Sequence, residues 1–255
     1  MSEQECYIDH EHPLLEEDSF CFSCTPEKEC FTACCYDVNL VLMPYDVVRL
    51  KRRLNMRSDE FLKRYTSVHV GQGSGVPVLT MNMERNSFKC LFLEEGKGCS
   101  VYEDRPGACR TYPLARMIHR SVNDQITVRH YVVREPDCRG FEAGARHSVK
   151  EWIEHEGIAP YNAMNDIFSE LLQAKNEAGV SVLNADQIET FYLGCYNIDA
   201  FRDFFLNGPN LDRYMEDPQV IERISQNEDA LLEYAMRWVK KKLFSGCSCV
   251  GCKAF

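Results

Sequence analysis

The sequence predicts an α+β fold, with a small front of short strands and helices packed on a helical C-terminal bundle. Three observations carry that expectation. Ten of the 14 cysteines lie in the first 140 residues, whereas 139–246 holds only Cys195. The front alternates short apolar runs with turn residues, the pattern of short strands. Beyond residue 146 apolar residues recur every three or four positions, as one face of a helix requires. These shifts divide the chain into an acidic N-terminal arm (1–19), a cysteine-rich domain (20–145), a helical region (146–245) and a short thiol tail (246–255).

Each element follows from a local signal. The arm MSEQECYIDHEHPLLEEDS is acidic and has no apolar run, so it reads as neither signal peptide nor anchor. Val38 to Met43 is a short apolar run suited to a buried strand. Pro44 suits the first turn of a helix, with Val47, Leu50 and Leu54 on one face. Ser58 is placed to cap a second helix carrying Phe61, Leu62 and Tyr65. The stretch GQGSG at 71–75 runs into an apolar strand and lacks the helix a phosphate site needs, so it reads as a loop. Phe88 to Tyr102 and Gln125 to Val133 read as further short strands.

In the back, Pro160 opens a helix with Tyr161, Met164, Phe168 and Leu171 on its apolar stripe, and Gly179 stops it. Asp186 and Glu189 have the spacing of a capping box ahead of Phe191 and Cys195. Asp199 caps a segment with Phe201, Phe204 and Phe205. Asp217-Pro218 starts one long helix to about Phe244. The expected bundle turns Trp152, Phe168, Leu171, Phe191, Phe204 and Trp238 inward.

Composition bounds the function. The chain has 255 residues, 45% hydrophobic and 11% aromatic, enough for a real core. A net charge of −10 weighs against nucleic-acid binding. The run Lys240-Lys241-Lys242 suits a helix C-terminus. No stretch reaches the length of a membrane helix, so membrane insertion is not expected. The expected compartment is the cytoplasm, where disulfides rarely persist and clustered cysteines more often hold metal.

The segment CFSCTPEKECFTACC holds Cys21, Cys24, Cys30, Cys34 and Cys35 within fifteen residues. Thiolates are soft ligands that select zinc, copper(I) or iron–sulfur clusters over hard cations. Cys21-x2-Cys24 has the gap that turns two sulfurs toward one point. Cys34 and Cys35 are adjacent, and neighbouring side chains tend to diverge, so the pair is expected to feed two sites or to give one ligand and one packed thiol. Cys247, Cys249 and Cys252 form a C-x-C-x2-C tail whose closed site would take a fourth ligand from Cys6, an arm histidine or a partner. The three-cysteine radical-enzyme signature and the bacterial ferredoxin run are both absent. The seven histidines are scattered, and no Ser-His-Asp order or HExxH is present.

The segment FSC…C…CC followed by CLFLEEGKGCSVYEDRPGACRTYPLAR resembles the YkgJ-type cysteine-cluster family, a zinc- or iron-chelating domain. The resemblance spans roughly 20–140. It implies ligands at Cys24, Cys30, Cys34, Cys35, Cys90, Cys99, Cys109 and Cys138, enough for two four-coordinate sites or for one cluster with spares. The gaps around Cys24 and Cys30 are longer than the family's, which makes Cys21 a competing ligand. Arg105 and Arg110 flank Cys109 and offer positive charge to thiolates, or else pair with Glu103 or Asp104.

A weaker resemblance to flagellin lysine N-methylases implies methyl transfer from S-adenosylmethionine, although no glycine-rich nucleotide loop is present. The expected function is therefore a cysteine-ligated metal protein holding an iron–sulfur cluster or, second, zinc. Its role would be electron transfer or adaptor work, with another protein docking on the helical region. The alternatives are the methylase-like enzyme and a metal storage or delivery protein. No catalytic residue is assigned, and a binding protein is expected before an enzyme.

Overall fold

Pro44 begins the first helix where its fixed φ and missing N–H cost nothing, and Asp46 accepts the Met43 amide at 2.8 Å to close that end. Local rules of this kind set most boundaries in the computed structural model, which describes residues 12–120, 126–207 and 217–245. Cys6, His10 and the tail cysteines Cys247, Cys249 and Cys252 lie outside the described residues. The α+β class is borne out, with short antiparallel strands and a helical C-terminal region. Among the described residues no helix is long and apolar enough to cross a membrane.

The chain forms two units that interleave along the sequence. The first takes residues up to Val38, Met83–Ser100 and Gly107–Pro160; the second takes Asn39–Asn82, Val101–Pro106 and the chain from Tyr161. Residues 39–82, which the cysteine count assigns to the front, thus fold with the helices of the back.

In the first unit, β1 (Ser19–Cys21) pairs antiparallel with β9 (Arg146–Ser148). β5 (Leu93–Glu94) and β6 (Gly98–Cys99) form a small hairpin. β7 (Leu114–Arg120) and β8 (Ile126–Val132) form a longer one, with Leu114 opposite Val132. The strand at β7 is not among the sequence expectations. Two short helices complete the unit, α3 (Gly107–Thr111) and α4 (Val149–His155). Ser148 and Glu151 make a reciprocal capping box at the start of α4.

The core of this unit is Phe20, Phe22, Leu114, Val132, Val149, Trp152 and Ile158. Phe22 meets Tyr112, Phe141 and Trp152 edge-on, at centroid distances of 5.5, 5.2 and 5.7 Å, the geometry the ring quadrupole favours. A β-carbon on Gly140 would stand 2.2 Å from the Phe22 ring, so only glycine fits there. Trp152, expected in the helical bundle, belongs to this core instead. Its indole N–H donates to the Thr111 carbonyl at 3.3 Å.

The second unit has a three-stranded antiparallel sheet in the order β2 (Val41–Leu42), β4 (Pro77–Met81), β3 (Thr66–Val70). With it fold α1 (Pro44–Arg53), α2 (Ser58–Tyr65), α5 (Ala159–Glu177), α6 (Ala185–Cys195), α7 (Ile198–Leu206), α8 (Pro218–Gln226) and α9 (Glu228–Phe244). The single long helix expected from Asp217 is two. Asn227 leaves helical geometry between them, and its side chain accepts the Asp229 and Ala230 amides, as an N-cap does. The box on α6 is Asn184 with Gln187, not Asp186 with Glu189.

Phe168, Leu171, Phe191 and Trp238 are buried as expected, but Phe204 is only half-buried. Phe201 and Phe205, one turn apart, take the inward face of α7. Cys195 is fully buried, a small core residue, and burial pushes its thiol pKa well up. Beside this core lies a polar knot. Lys51 bonds Asp199 and Glu228, and Arg202 bonds the same two carboxylates at 2.8 and 3.1 Å.

Candidate metal centre

Cys24, Cys30, Cys34, Cys35, Cys90, Cys99, Cys109 and Cys138 all fall in the first unit, and none is in a disulfide. Cys24, Cys34 and Cys109 are exposed and the other five half-buried. Cys21 differs: its sulfur is in a disulfide and the residue is buried. A disulfide sulfur is no thiolate, so Cys21 does not offer the competing ligand that the spacing allowed.

The vicinal pair sits in a tight 3-10 turn, Ala33–Cys35, entered through Thr32 at φ 66. Neighbouring side chains are expected to diverge; here the Cys34 and Cys35 thiols hydrogen-bond each other. That bond holds the Cys34 pKa down, to about 7, while burial opposes it. The same bond pushes Cys35 far up, helped by burial and by the charges of Cys34, Cys90 and Cys109. Cys90 is pushed up by burial and held back by the Phe92 and Leu93 amides. The backbone joins these segments. The Cys90 N–H donates to the Cys35 carbonyl at 2.8 Å, and Tyr36 bridges Lys89.

A second association involves the loop at 23–30. The Arg139 amide donates to Cys30 Sγ at 3.2 Å. The Ser23 amide donates to the Gly140 carbonyl at 2.9 Å, and Ala145 N–H to Ser23 Oγ at 2.8 Å. Tyr112 shares a hydrogen bond with Cys138, and burial first, then that bond, raises its pKa. No residue type announces these N–H···S donors, because they are backbone groups; spacing alone does not reveal them.

Of the two arginines beside Cys109, Arg110 is buried and donates to the Glu156 carbonyl. Arg105 lies over the Tyr102 ring at 3.8 Å and donates to the Tyr102 carbonyl at 2.8 Å. Asp104, its expected alternative partner, instead receives Arg49 at 2.6 Å.

Among the described residues no three His, Cys, Asp or Glu side chains converge closely enough to hold an ion as placed. The donor set nevertheless fits a soft metal in kind. It consists of eight thiols on one unit, several bonded by backbone amides of the sort that support metal-bound thiolates.

Comparison with known proteins agrees with this chemistry. The model of the CxxCxxCC family, described as a "putative zinc- or iron-chelating domain", matches residues 23–139. The matched stretch contains all eight thiols and bears out the resemblance read from their spacing. No curated protein and no solved structure matches the chain.

Proposed function

We propose that the zinc- or iron-chelating domain at 23–139 holds an iron–sulfur cluster or thiolate-bound zinc, and that the chain serves as a cluster-bearing electron-transfer or adaptor protein. The observation that carries this reading is the set of eight free thiols on one unit, all inside the stretch that the zinc- or iron-chelating family model matches, with the Cys35 and Cys90 segments joined by a backbone bond and Cys30 Sγ accepting the Arg139 amide. Four thiolates brought to one point satisfy zinc as a closed tetrahedron or an iron–sulfur cluster. When bound, a cluster supplies one-electron transfer and zinc supplies a structural cross-link. The protein's own residues fix where the sulfurs stand: the 3-10 turn presents the vicinal pair, the Phe92 and Leu93 amides brace Cys90, and α3 carries Cys109. On this reading a protein partner docks on the helical region.

Anaerobic purification followed by metal analysis and visible absorption tests the reading. A brown, iron-containing protein identifies the cluster, and a colourless zinc-containing one the structural site. A protein that carries neither metal and takes up neither from solution overturns it.

A further inference from the structure

We propose that β3 is an interface: the open edge of the second unit's sheet pairs with the same edge of a second copy of this chain, antiparallel and centred on Val68. The interface involves none of the thiols and stands apart from the metal-binding reading.

The register of the sheet decides which backbone groups are open. β3 pairs with β4 on one side, and among the described residues nothing pairs with its other side. The Asn82 N–H donates to Tyr65 O at 2.8 Å and the Gly71 N–H to Val76 O at 2.9 Å, so the odd-numbered residues from 65 to 71 are the ones that bond β4. The amides and carbonyls of Val68 and Val70, and the Thr66 carbonyl, therefore point to the open edge. The Thr66 N–H is taken by the Leu62 carbonyl at the end of α2.

The core-facing side of the sheet also runs out before this strand. Thr66, Val68 and Val70 lie opposite Met81, Leu79 and Pro77 and share their face. Met81, Leu79 and Pro77 are buried, yet Val68 is 54% and Val70 41% exposed. A cavity of about 290 Å³ opens there, lined by Leu62 of α2, Thr66 and Val68 of β3 and Tyr192 of α6. β3 carries no Pro, no Lys and no bulge, the devices that keep a sheet edge from pairing.

A second copy fits this edge in backbone and side chains. With Val68 opposite Val68, each Val68 amide reaches the other Val68 carbonyl, and each Val70 amide the other Thr66 carbonyl. A slip of one residue would set these open groups against ones already bonded to β4. Val68 meets Val68 and Thr66 meets Val70 on the core-facing side, while Ser67 meets His69 on the other. No Asp, Glu, Lys or Arg stands in the strand, so no like charges oppose each other. The next position sets Tyr65 against Gly71, which has no side chain to obstruct the end of α2. A second copy carries this matching pattern by identity, as a twofold interface requires, and the two three-stranded sheets become one.

Sedimentation equilibrium of the full chain under reducing conditions tests the proposal. The chain is expected to show a monomer–dimer equilibrium. Val68→Lys should weaken it by about tenfold or more, because two ammonium groups then face each other at the twofold axis. Val41→Lys, at an exposed valine on β2 at the far edge of the sheet, should leave it unchanged. Val68→Pro removes an N–H that points outward and spares the ladder to β4, so it should weaken the dimer without unfolding the sheet.

Amide hydrogen exchange on the unsubstituted chain needs no variant. Raising the protein concentration should protect Val68 and Val70 and leave Ser67 and His69, already bonded to β4, unchanged. A chain that stays monomeric at millimolar concentration overturns the proposal. So does a dimer that Val68→Lys leaves intact, or one whose formation protects neither Val68 nor Val70.

Discussion

Ser58 and Asp199 exchange two hydrogen bonds: the Ser58 amide donates to Asp199 Oδ2 at 2.7 Å, and the Asp199 amide donates to Ser58 Oγ at 2.9 Å. Each residue lies at the start of its helix, α2 or α7, so each side chain satisfies an amide that the other helix leaves open. Asp199 then also receives Lys51 and Arg202. One carboxylate therefore joins two helix starts and two cations.

Removing a cation from this knot should cost more than a surface ion pair. Lys51 is buried, and without it Asp199 and Glu228 keep only partial compensation from arginine. Lys51→Met is expected to lower stability by about 3 kcal/mol, because a broken buried pair leaves charge behind. Urea unfolding checks it, and a loss below about 1 kcal/mol, the size of an exposed pair, would contradict the burial argument.

The same knot predicts an acid response. Burial alone would raise both carboxyls, but the Ser58 amide and Lys51 hold Asp199 below its ordinary range, and Lys51 and Arg202 do so for Glu228. A carboxyl whose folded pKa is depressed contributes fully above its unfolded value and loses that contribution as pH falls through the folded one. Stability should therefore drop as acidification passes about pH 4, the ordinary carboxylate range. The slope should be shallower in Lys51→Met, and equal slopes would remove the knot as the cause.

Gly140 should tolerate no side chain. Gly140→Ala is expected to destabilise by about 1–3 kcal/mol, the cost of overpacking against Phe22. Gly73, where a β-carbon meets nothing within 4 Å, is the matched control, and Gly73→Ala should be neutral or slightly stabilising. Thermal melts of the pair decide it.

Asn227→Ala should cost about 1 kcal/mol by uncapping α9. Asn227→Asp should retain most of that stability, since its carboxylate can accept the same two amides. Equal losses in both variants would assign the break between α8 and α9 to something other than the cap.

Metal removal should soften the first unit. Its strands are two to seven residues long and pair only two by two, which leaves little independent stability. A strong chelator, or Cys109→Ser, is expected to lower its melting temperature by roughly 5–10 °C, because metal binding and folding are coupled. Calorimetry that shows no shift would detach the thiols from the fold.

The cysteines were legible because their chemistry depends on residue type and position, and the family-model match at 23–139 agrees with the resemblance they carry. Helix starts at Pro44 and near Pro160 were legible for the same reason: proline acts locally. What escaped the sequence was partnership. Trp152 has the apolar character of a bundle residue, yet its contacts are Phe20 and Phe22. The strand at β7, LARMIHR, mixes charges with apolar residues and shows no clean alternation. The split at Asn227 was hidden because apolar spacing continues across it. The disulfide at Cys21 and the mutual hydrogen bond of Cys34 and Cys35 depend on three-dimensional placement, which spacing does not record.

The interleaving of the two units has a consequence for how the protein is made. Cys30 and the Arg139 amide that bonds it are 109 residues apart. At the usual 5–20 residues per second, a ribosome takes roughly 5–20 s to emit the second after the first. During that interval the early thiols have emerged while their loop partners are still unsynthesised. Metal uptake that needs both loops would then follow synthesis of most of the chain, and the nascent thiols are open to oxidants until those loops meet. The yield of loaded protein should therefore respond to translation rate and to the thiol redox state of the host, even where the amount of chain produced stays constant.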